Sequence, residues 1–227
     1  MGETISKKAA AGDIFDDCTT ALVKARARGG KWQALAEELT EVMTMVDATR
    51  TRREAAQATA AAARAKLEAE DDRADRLLGR LADEIWNAVG RPAQDPALAV
   101  LFPGGVAYYA EGMDEGQPQR MELLASLLES GVHPKLPADV AKSAAAAVRD
   151  AAVGLRAAHE PASLARAQLA LLDRMWIALA RTAQTALVNF KRRLKVESFT
   201  EAEIHQVIPD RGAPAVSQSA TPPAPLT

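Results

Sequence analysis

The sequence has little of what disulfides, β-strands or thiolate metal sites require. Among its 227 residues Cys18 is the one cysteine, so no intrachain disulfide can form and a Cys-x-x-Cys motif is excluded. Aromatic residues make up 4%, and runs rich in valine, isoleucine, threonine and aromatic residues are nearly absent. Glycine and proline gather in a few places, which leaves long uninterrupted stretches for helix. These absences predict an all-α protein.

Charge and hydropathy exclude further classes. The formal net charge of −2 provides no global field that would attract nucleic acid or membrane. No apolar run reaches the roughly 18 residues that a transmembrane helix needs. Residues 1–12 lack the apolar segment of a signal peptide, and we expect them to be flexible. The single cysteine and these absences favour a cytoplasmic location.

Helix signals predict a helical bundle domain over residues 13–200. Asp13 is typical of an N-cap, and Gly29 closes a first helix near Arg28. A second helical stretch runs from Lys31 to about Val89, with apolar residues at steps of three and four. Such a stripe is typical of a coiled coil with a partner or of the inward face of an intramolecular bundle. We favour the bundle, because the chain supplies its own partner helices. The stripe consists of Trp32, Leu35, Leu39, Val42, Val46, Ala56, Ala60, Ala63, Leu67, Ala74, Leu77 and Leu81.

Proline and glycine punctuate the rest of the chain. They mark residues 90–119 as a loop-rich connector, which is followed by a short helix over 120–130. A helix over 138–158, a turn at His159–Pro161 and a last helix to about Val196 come next. Residues 201–227 are predicted to be a proline-rich disordered tail, since that composition cannot repay its ordering entropy.

A short pattern occurs twice and suggests internal duplication. It reads Leu-x-Asp-x-(Ile/Met)-Trp, ending at Trp86 and again at Trp176. If it is a true duplication, residues 31–91 and 121–196 form two pseudo-symmetric helical hairpins of an up-down bundle. The alignment places the turn at His159 opposite the charged segment around Asp71. We therefore favour a turn near Asp71 over one long helix, although no glycine or proline stands there.

Spacings that carry chemistry are missing. The chain has no Glu-x-x-His, His-Glu-x-x-His, P-loop or Gly-x-Ser-x-Gly motif, so we predict no enzyme activity, no cofactor and no metal. Cys18 is expected to be a small buried hydrophobe. Asp16–Asp17 and Asp71–Asp72 are interpreted as acids at helix starts, where the helix dipole favours them. Glu201 and His205 are interpreted as a solvated pair.

Two sets of residues remain as candidate sites. The last helix carries interleaved cations that can form a basic surface, although cations also gather at helix C-termini because of the dipole. Trp86 and Trp176 are either core residues, the commoner role, or the lining of a pocket. The basic set is Arg181, Lys191, Arg192, Arg193 and Lys195.

The resulting functional hypothesis is a non-enzymatic helical interaction or scaffolding protein that binds a protein partner and could self-associate. One alternative is a small-molecule-binding sensor or carrier with an apolar pocket. The other is binding to nucleic acid or anionic membrane through the basic last helix.

Overall fold

A computed structural model of the chain describes residues 9–111 and 116–209. Within those residues it has eight helices and no strand, which confirms the all-α prediction. None of these helices is long and apolar enough to cross a membrane. The helices are α1 (Ala11–Arg28), α2 (Gly30–Leu35), α3 (Glu37–Ala88), α4 (Pro96–Leu101), α5 (Ala107–Ala110), α6 (Gln117–Glu129), α7 (Ala138–Val196) and α8 (Glu201–Val207).

The first helix follows the sequence signals closely. It begins at Ala11, so Asp13 lies in the first turn instead of at the N-cap, and its carboxylate still faces the positive end of the dipole. Gly29 ends the helix with φ 66°, a left-handed conformation that glycine adopts without strain. A second break falls at Ala36, between α2 and α3. The predicted single stretch from Lys31 is therefore two helices.

The predicted turn near Asp71 is wrong, because α3 is unbroken from Glu37 to Ala88. Glu70, which interrupts the apolar stripe, is half-buried and pairs with Arg73 at 3.2 Å on the same helix. The facing position on α7 is Gly154, where a Cβ atom would lie 3.2 Å from Glu70 Oε2. A glycine opposite the charged pair leaves room for it within α3.

The predicted turn at His159–Pro161 is also wrong, since α7 is one helix of 59 residues with Pro161 inside it. Proline removes one helical hydrogen bond and costs about 3 kcal/mol in a helix interior. The side chain of Pro161 is exposed, whereas Ala158 and Ala162 on either side are buried. Packing on the buried face holds the helix together across the proline.

The predicted disordered tail starts too early. Thr200 forms a capping box with Glu203 at the start of α8, and Ile204, Val207 and Ile208 are buried. Residues 201–208 are therefore ordered. The rest of the predicted tail and the first eight residues lie outside the described part of the chain.

The chain forms two compact units, and α3 and α7 contribute to both. The first unit comprises Met1–Arg53 and Leu171–Thr227, and the second comprises Glu54–Ala170. This division does not follow the halves 31–91 and 121–196, because the boundaries fall inside the two long helices.

The first unit packs α1, α2 and α8 with the start of α3 and the end of α7. Glu38 pairs with Arg193 and Arg53 with Asp173, so the two long segments run antiparallel. The largest buried side chains of its core come from every one of these elements. They include Phe15, Trp32, Leu39, Leu187, Phe190, Leu194 and Ile204.

The second unit packs α4, α5 and α6 with the rest of α3 and the beginning of α7. The fully buried Tyr109 of α5 donates its hydroxyl to the Leu101 carbonyl of α4 at 2.7 Å. Segment α6 begins at Gln117, three residues before the predicted start at Arg120. The buried face of α7 in this unit is rich in alanine and faces leucines and a methionine. Those alanines are Ala144, Ala145, Ala151, Ala152, Ala158 and Ala162.

Candidate functional site

The last long helix has an apolar face in the first unit that no described residue covers. From Leu171 to Leu179 no residue of α7 is buried. Leu171 is 60% exposed, Met175 40% and Ile177 55%. At 3.6 residues per turn Leu171, Met175 and Ala178 share one face of the helix. We call these three residues the α7 face.

Trp176 lies beside the α7 face, at the edge of the first core. Its ring meets Phe15 edge-on, with centroids 4.6 Å apart. The guanidinium groups of Arg50 and Arg53 lie 5.8 and 5.9 Å from the ring centroid, and Arg53 Nε donates to Asp173 Oδ1 at 2.6 Å. Trp176 is therefore a half-buried residue at the edge of the core, with two guanidinium groups near its ring.

Trp86 has a different environment in the second unit. It is 42% exposed, its indole N–H donates to the Pro92 carbonyl at 3.2 Å, and Arg91 lies 5.5 Å from its ring. Its hydrogen bond connects the end of α3 to the loop that follows. Since Trp86 and Trp176 belong to different units, each contributes to its own surroundings.

Three of the five cations of the predicted basic surface form ion pairs, and they share two acids. Arg193 pairs with Glu38 at 2.7 Å, and Lys191 and Lys195 both pair with Glu201. The hydrogen bond from Lys195 lowers the pKa of Glu201. These contacts join the end of α7 to α3 and α8.

Two of the five predicted cations lack such a partner. Arg181 and Arg192 are exposed and have no acidic partner among the described residues.

An open groove of about 510 Å³ lies in the second unit, between α6 and α7. Arg156 and His159 lie at its wall, and Leu164, 60% exposed, adds apolar surface. Arg156 also lies 3.9 Å from Glu122. The lining residues are Pro118, Gln119, Arg156, His159, Glu160, Ser163, Leu164 and Ala167. The sequence predicted a turn at His159–Pro161, so the wall of the groove that α7 forms was not predicted.

The sequence did not reveal a partly buried polar cluster in the second unit. Asp71 and Asp75 lie one turn apart inside α3, and Gln117 of α6 is fully buried beside them. Gln117 Nε2 donates to Asp75 Oδ1 at 3.4 Å. The interpretation of Asp71–Asp72 as acids at a helix start is wrong, because they lie in the middle of α3. The four-residue spacing between Asp71 and Asp75, which puts both on one side of a helix, was the sequence signal that could have revealed the cluster.

Electrostatics distinguish these acids from ordinary surface carboxylates. Burial raises the pKa of Asp71 and of Asp75, and each is raised further by a neighbouring aspartate. The hydrogen bond from Gln117 offsets part of the rise for both groups. We call Asp71, Asp75 and Gln117 the acidic cluster.

Cys18 and His205 are two further reactive side chains, and each has a neighbour that gives it a structural role. Cys18 is fully buried, its thiol donates to the Ala183 carbonyl at 3.6 Å, and burial raises its pKa to about 12. A thiol with that pKa is not a nucleophile near neutral pH. His205 Nε2 lies 3.4 Å from Glu201, next to the lysines that also pair with this acid. The described residues hold no group of three or more His, Cys, Asp or Glu suited to a metal.

Comparison with known proteins adds no family: no protein-family model, no curated protein and no solved structure matches this chain.

Proposed function

We propose that this protein is a non-enzymatic helical interaction protein, and that it self-associates through the α7 face. The observation that carries the proposal is the exposure of Leu171 and Met175 on a helix segment without a single buried residue. Isolated exposed leucines are ordinary on protein surfaces. Apolar residues at successive turns of one helix face are typical of a contact with another helix.

The apolar surface of α7 between Leu171 and Leu179 is wider than the part that packs against the first core. Trp176 and Leu179 pack against the first core and are half-buried. Leu171, Met175 and Ala178 extend the apolar surface well beyond that side. A helix with one apolar stripe is satisfied by one neighbour, whereas a broader apolar surface calls for a second.

A second copy of this chain fits the α7 face. Twofold symmetric contacts place the same patch of both copies together, so one apolar stripe serves both sides. An antiparallel pairing centred on Met175 would set Leu171 of one copy near Ala178 of the other. A large residue would then meet a small one, which allows the two helices to approach closely.

The test is the mass of the full-length protein in solution. We expect sedimentation equilibrium to show a dimer in the micromolar range, where an association free energy of about −8 kcal/mol becomes visible. The double variant Leu171→Glu, Met175→Glu should be monomeric and keep its helical circular dichroism, because both side chains are exposed. Val23→Glu is the matched control, since Val23 on α1 is also 60% exposed.

Two outcomes would contradict self-association through this face. One is a wild-type protein that stays monomeric throughout the micromolar range. The other is a dimer that the double variant and the control affect equally.

A second candidate function is small-molecule binding in the groove between α6 and α7. Its volume of about 510 Å³ falls within the usual range of ligand pockets, roughly 300–1,000 Å³. Apolar Leu164 and polar Arg156, His159 and Ser163 favour an apolar ligand that carries one polar group. We expect a compound from a screen by thermal shift to stabilise the wild type but not Ser163→Trp, which fills the groove. A screen in which the wild type and this variant respond alike would reject the groove.

A further inference from the structure

We propose that the acidic cluster of the second unit binds a hard divalent cation, of the calcium or magnesium class, through the oxygens of Asp71, Asp75 and Gln117. This inference is independent of the proposed self-association, which concerns the first unit.

The geometric basis is a surplus of buried acceptors. Asp71 Oδ1 and Gln117 Oε1 are both inaccessible to water, and neither receives a hydrogen bond. Buried polar atoms in proteins are almost always paired, because an unpaired one costs about 1–3 kcal/mol. Two buried oxygen acceptors in one cluster therefore have no hydrogen-bond donor. Either a cation or a proton would satisfy them.

The fully buried Gln117 distinguishes this cluster from an ordinary group of surface acids. Its side chain has no exposed surface, although it is polar and at the first position of α6. The hydrogen bond that its side-chain N–H donates to Asp75 Oδ1 is long at 3.4 Å. The amide N–H group thus lies opposite the Asp75 carboxylate, where a cation would bind. At this distance it is a weak partner for that carboxylate.

The neighbouring arginines of α3 do not neutralise the cluster. The nearest arginines on the same helix are engaged with other acids, Arg73 with Glu70 at 3.2 Å and Arg76 with Asp72 at 3.8 Å. Among the described residues neither Asp71 nor Asp75 forms an ion pair. An external cation would supply the missing charge.

The ligand set suits a hard cation. Carboxylate and amide carbonyl oxygens are preferred by Ca²⁺ and Mg²⁺, which complete their shells with water. Asp71 and Asp75 are four residues apart and therefore lie on the same side of α3. A half-turn about the last torsion of Gln117 exchanges its nitrogen and oxygen, and that torsion has broad, roughly twofold preferences. The carbonyl then faces the carboxylates.

The first experiment is calorimetric titration of chelator-treated, full-length protein with CaCl₂, MgCl₂ and MnCl₂ at constant ionic strength. We expect saturable binding at one site per chain, and a thermal midpoint that rises with the logarithm of the cation concentration. Asp75→Asn should weaken binding by roughly tenfold or more. Asp72→Asn is the control, because the side chain of Asp72 is 71% exposed on the same helix.

A second variant separates cation binding from a purely structural role. Gln117→Glu removes the donor to Asp75 and adds a third carboxylate. We expect this variant to be less stable than the wild type in chelator and to recover when the cation is added, with tighter binding. A merely structural glutamine predicts the same loss of stability without recovery.

Three results would overturn the cation site. The wild type would show neither heat nor a midpoint shift at cation concentrations up to about 10 mM, well above the weakest dedicated calcium sites. Asp72→Asn would weaken binding as much as Asp75→Asn does. Gln117→Glu would remain as unstable with added cation as it is in chelator.

Discussion

The two units use the same pair of helices and fill their cores in different ways. In the first unit the end of α7 contributes large side chains, Phe190 and Leu194, which pack against α1, α2 and α8. In the second unit the beginning of α7 contributes alanines, among them Ala145 and Ala152, and α3 and α6 supply the bulk. Small side chains allow neighbouring helices to approach closely, whereas large ones need partners on several sides. Alanine content alone therefore does not distinguish an exposed helix face from a buried one.

The largest expected change in stability comes from truncating a large core side chain in the first unit. Phe190→Ala should lower the free energy of unfolding by about 3–5 kcal/mol, because Phe190 is 2% exposed and truncation leaves a cavity. Urea unfolding of the full-length protein, followed by circular dichroism, measures this change. Leu124→Ala, at a position 1% exposed on α6, is the counterpart in the second unit and should cost about 2–5 kcal/mol. A loss below about 1 kcal/mol for Phe190→Ala would show that the first core is not packed as described.

The next largest change in stability comes from enlarging a small core side chain in the second unit. Ala145→Leu should destabilise the protein by about 1–3 kcal/mol, because Ala145 has no exposed surface and the core has no space for the extra atoms. Ala146→Leu, one residue along on the exposed side of α7, should change stability by no more than about 0.5 kcal/mol. If both variants unfold at the same urea concentration, the alanine face of α7 is not a packed surface.

A smaller effect concerns the cap that orders α8 in the first unit. Thr200→Ala removes the oxygen that accepts from the Glu203 N–H at 3.3 Å and should cost about 1 kcal/mol. Thr59→Ala is the control, since the Thr59 hydroxyl is exposed and bonds only a carbonyl of its own helix. Hydrogen exchange of the Ile204 amide should accelerate in the first variant alone. Unchanged exchange in Thr200→Ala would mean that the cap does not hold α8.

The smallest effect is a pH dependence specific to the second unit. Burial raises the pKa of Asp71 and Asp75 above the ordinary value of 3.8, so the folded protein binds protons more tightly than the unfolded chain. Stability from this pair is therefore greatest below pH 3.8 and falls as the pH rises through the raised pKa values. In chelator, Asp75→Asn should flatten that part of the profile and slightly raise the thermal midpoint at neutral pH.

The measurement is a difference profile between the wild type and Asp75→Asn. Carboxylates with lowered pKa values, such as Glu129 and Glu201, give a slope of the opposite sign in both proteins and cancel in the difference. A difference that does not vary between about pH 3.5 and pH 7 would contradict the raised pKa values.

Much of the helix content was predictable from local signals. Gly29 ended α1 as its conformational freedom predicts, and the apolar steps of three and four placed Leu39, Val46 and Leu67 in buried positions. The stripe was off by one residue near its end, where Leu78 is fully buried and Leu77 only partly. Small errors of this kind arise because a straight helix drifts relative to a strict heptad.

The two long helices were not predictable from the same signals. Pro161 and the charged segment at Glu70 are normally helix-ending or core-breaking features. Both are accommodated by packing against residues distant in sequence: Gly154 leaves room for Glu70, and Ala158 and Ala162 beside Pro161 are buried in a core shared with α3 and α6. Local propensity cannot register such compensation.

The candidate sites depended even more on tertiary contacts. The partners of Lys191 and Arg193 come from α8 and α3, so the apparent basic surface of the sequence is mostly paired in the fold. Gln117, separated from Asp75 by a loop-rich connector, carried no motif that would link the two residues.

The amino-acid sequence by itself determined that this chain is helical and, along α3, which face of the helix avoids water, because both follow from side chains within a few residues of one another. Only the tertiary structure decided that α3 and α7 run unbroken through both units, that Leu171 and Met175 stay uncovered, and that Gln117 lies beside two aspartates. Those outcomes depend on volume and charge supplied by residues far apart in the chain.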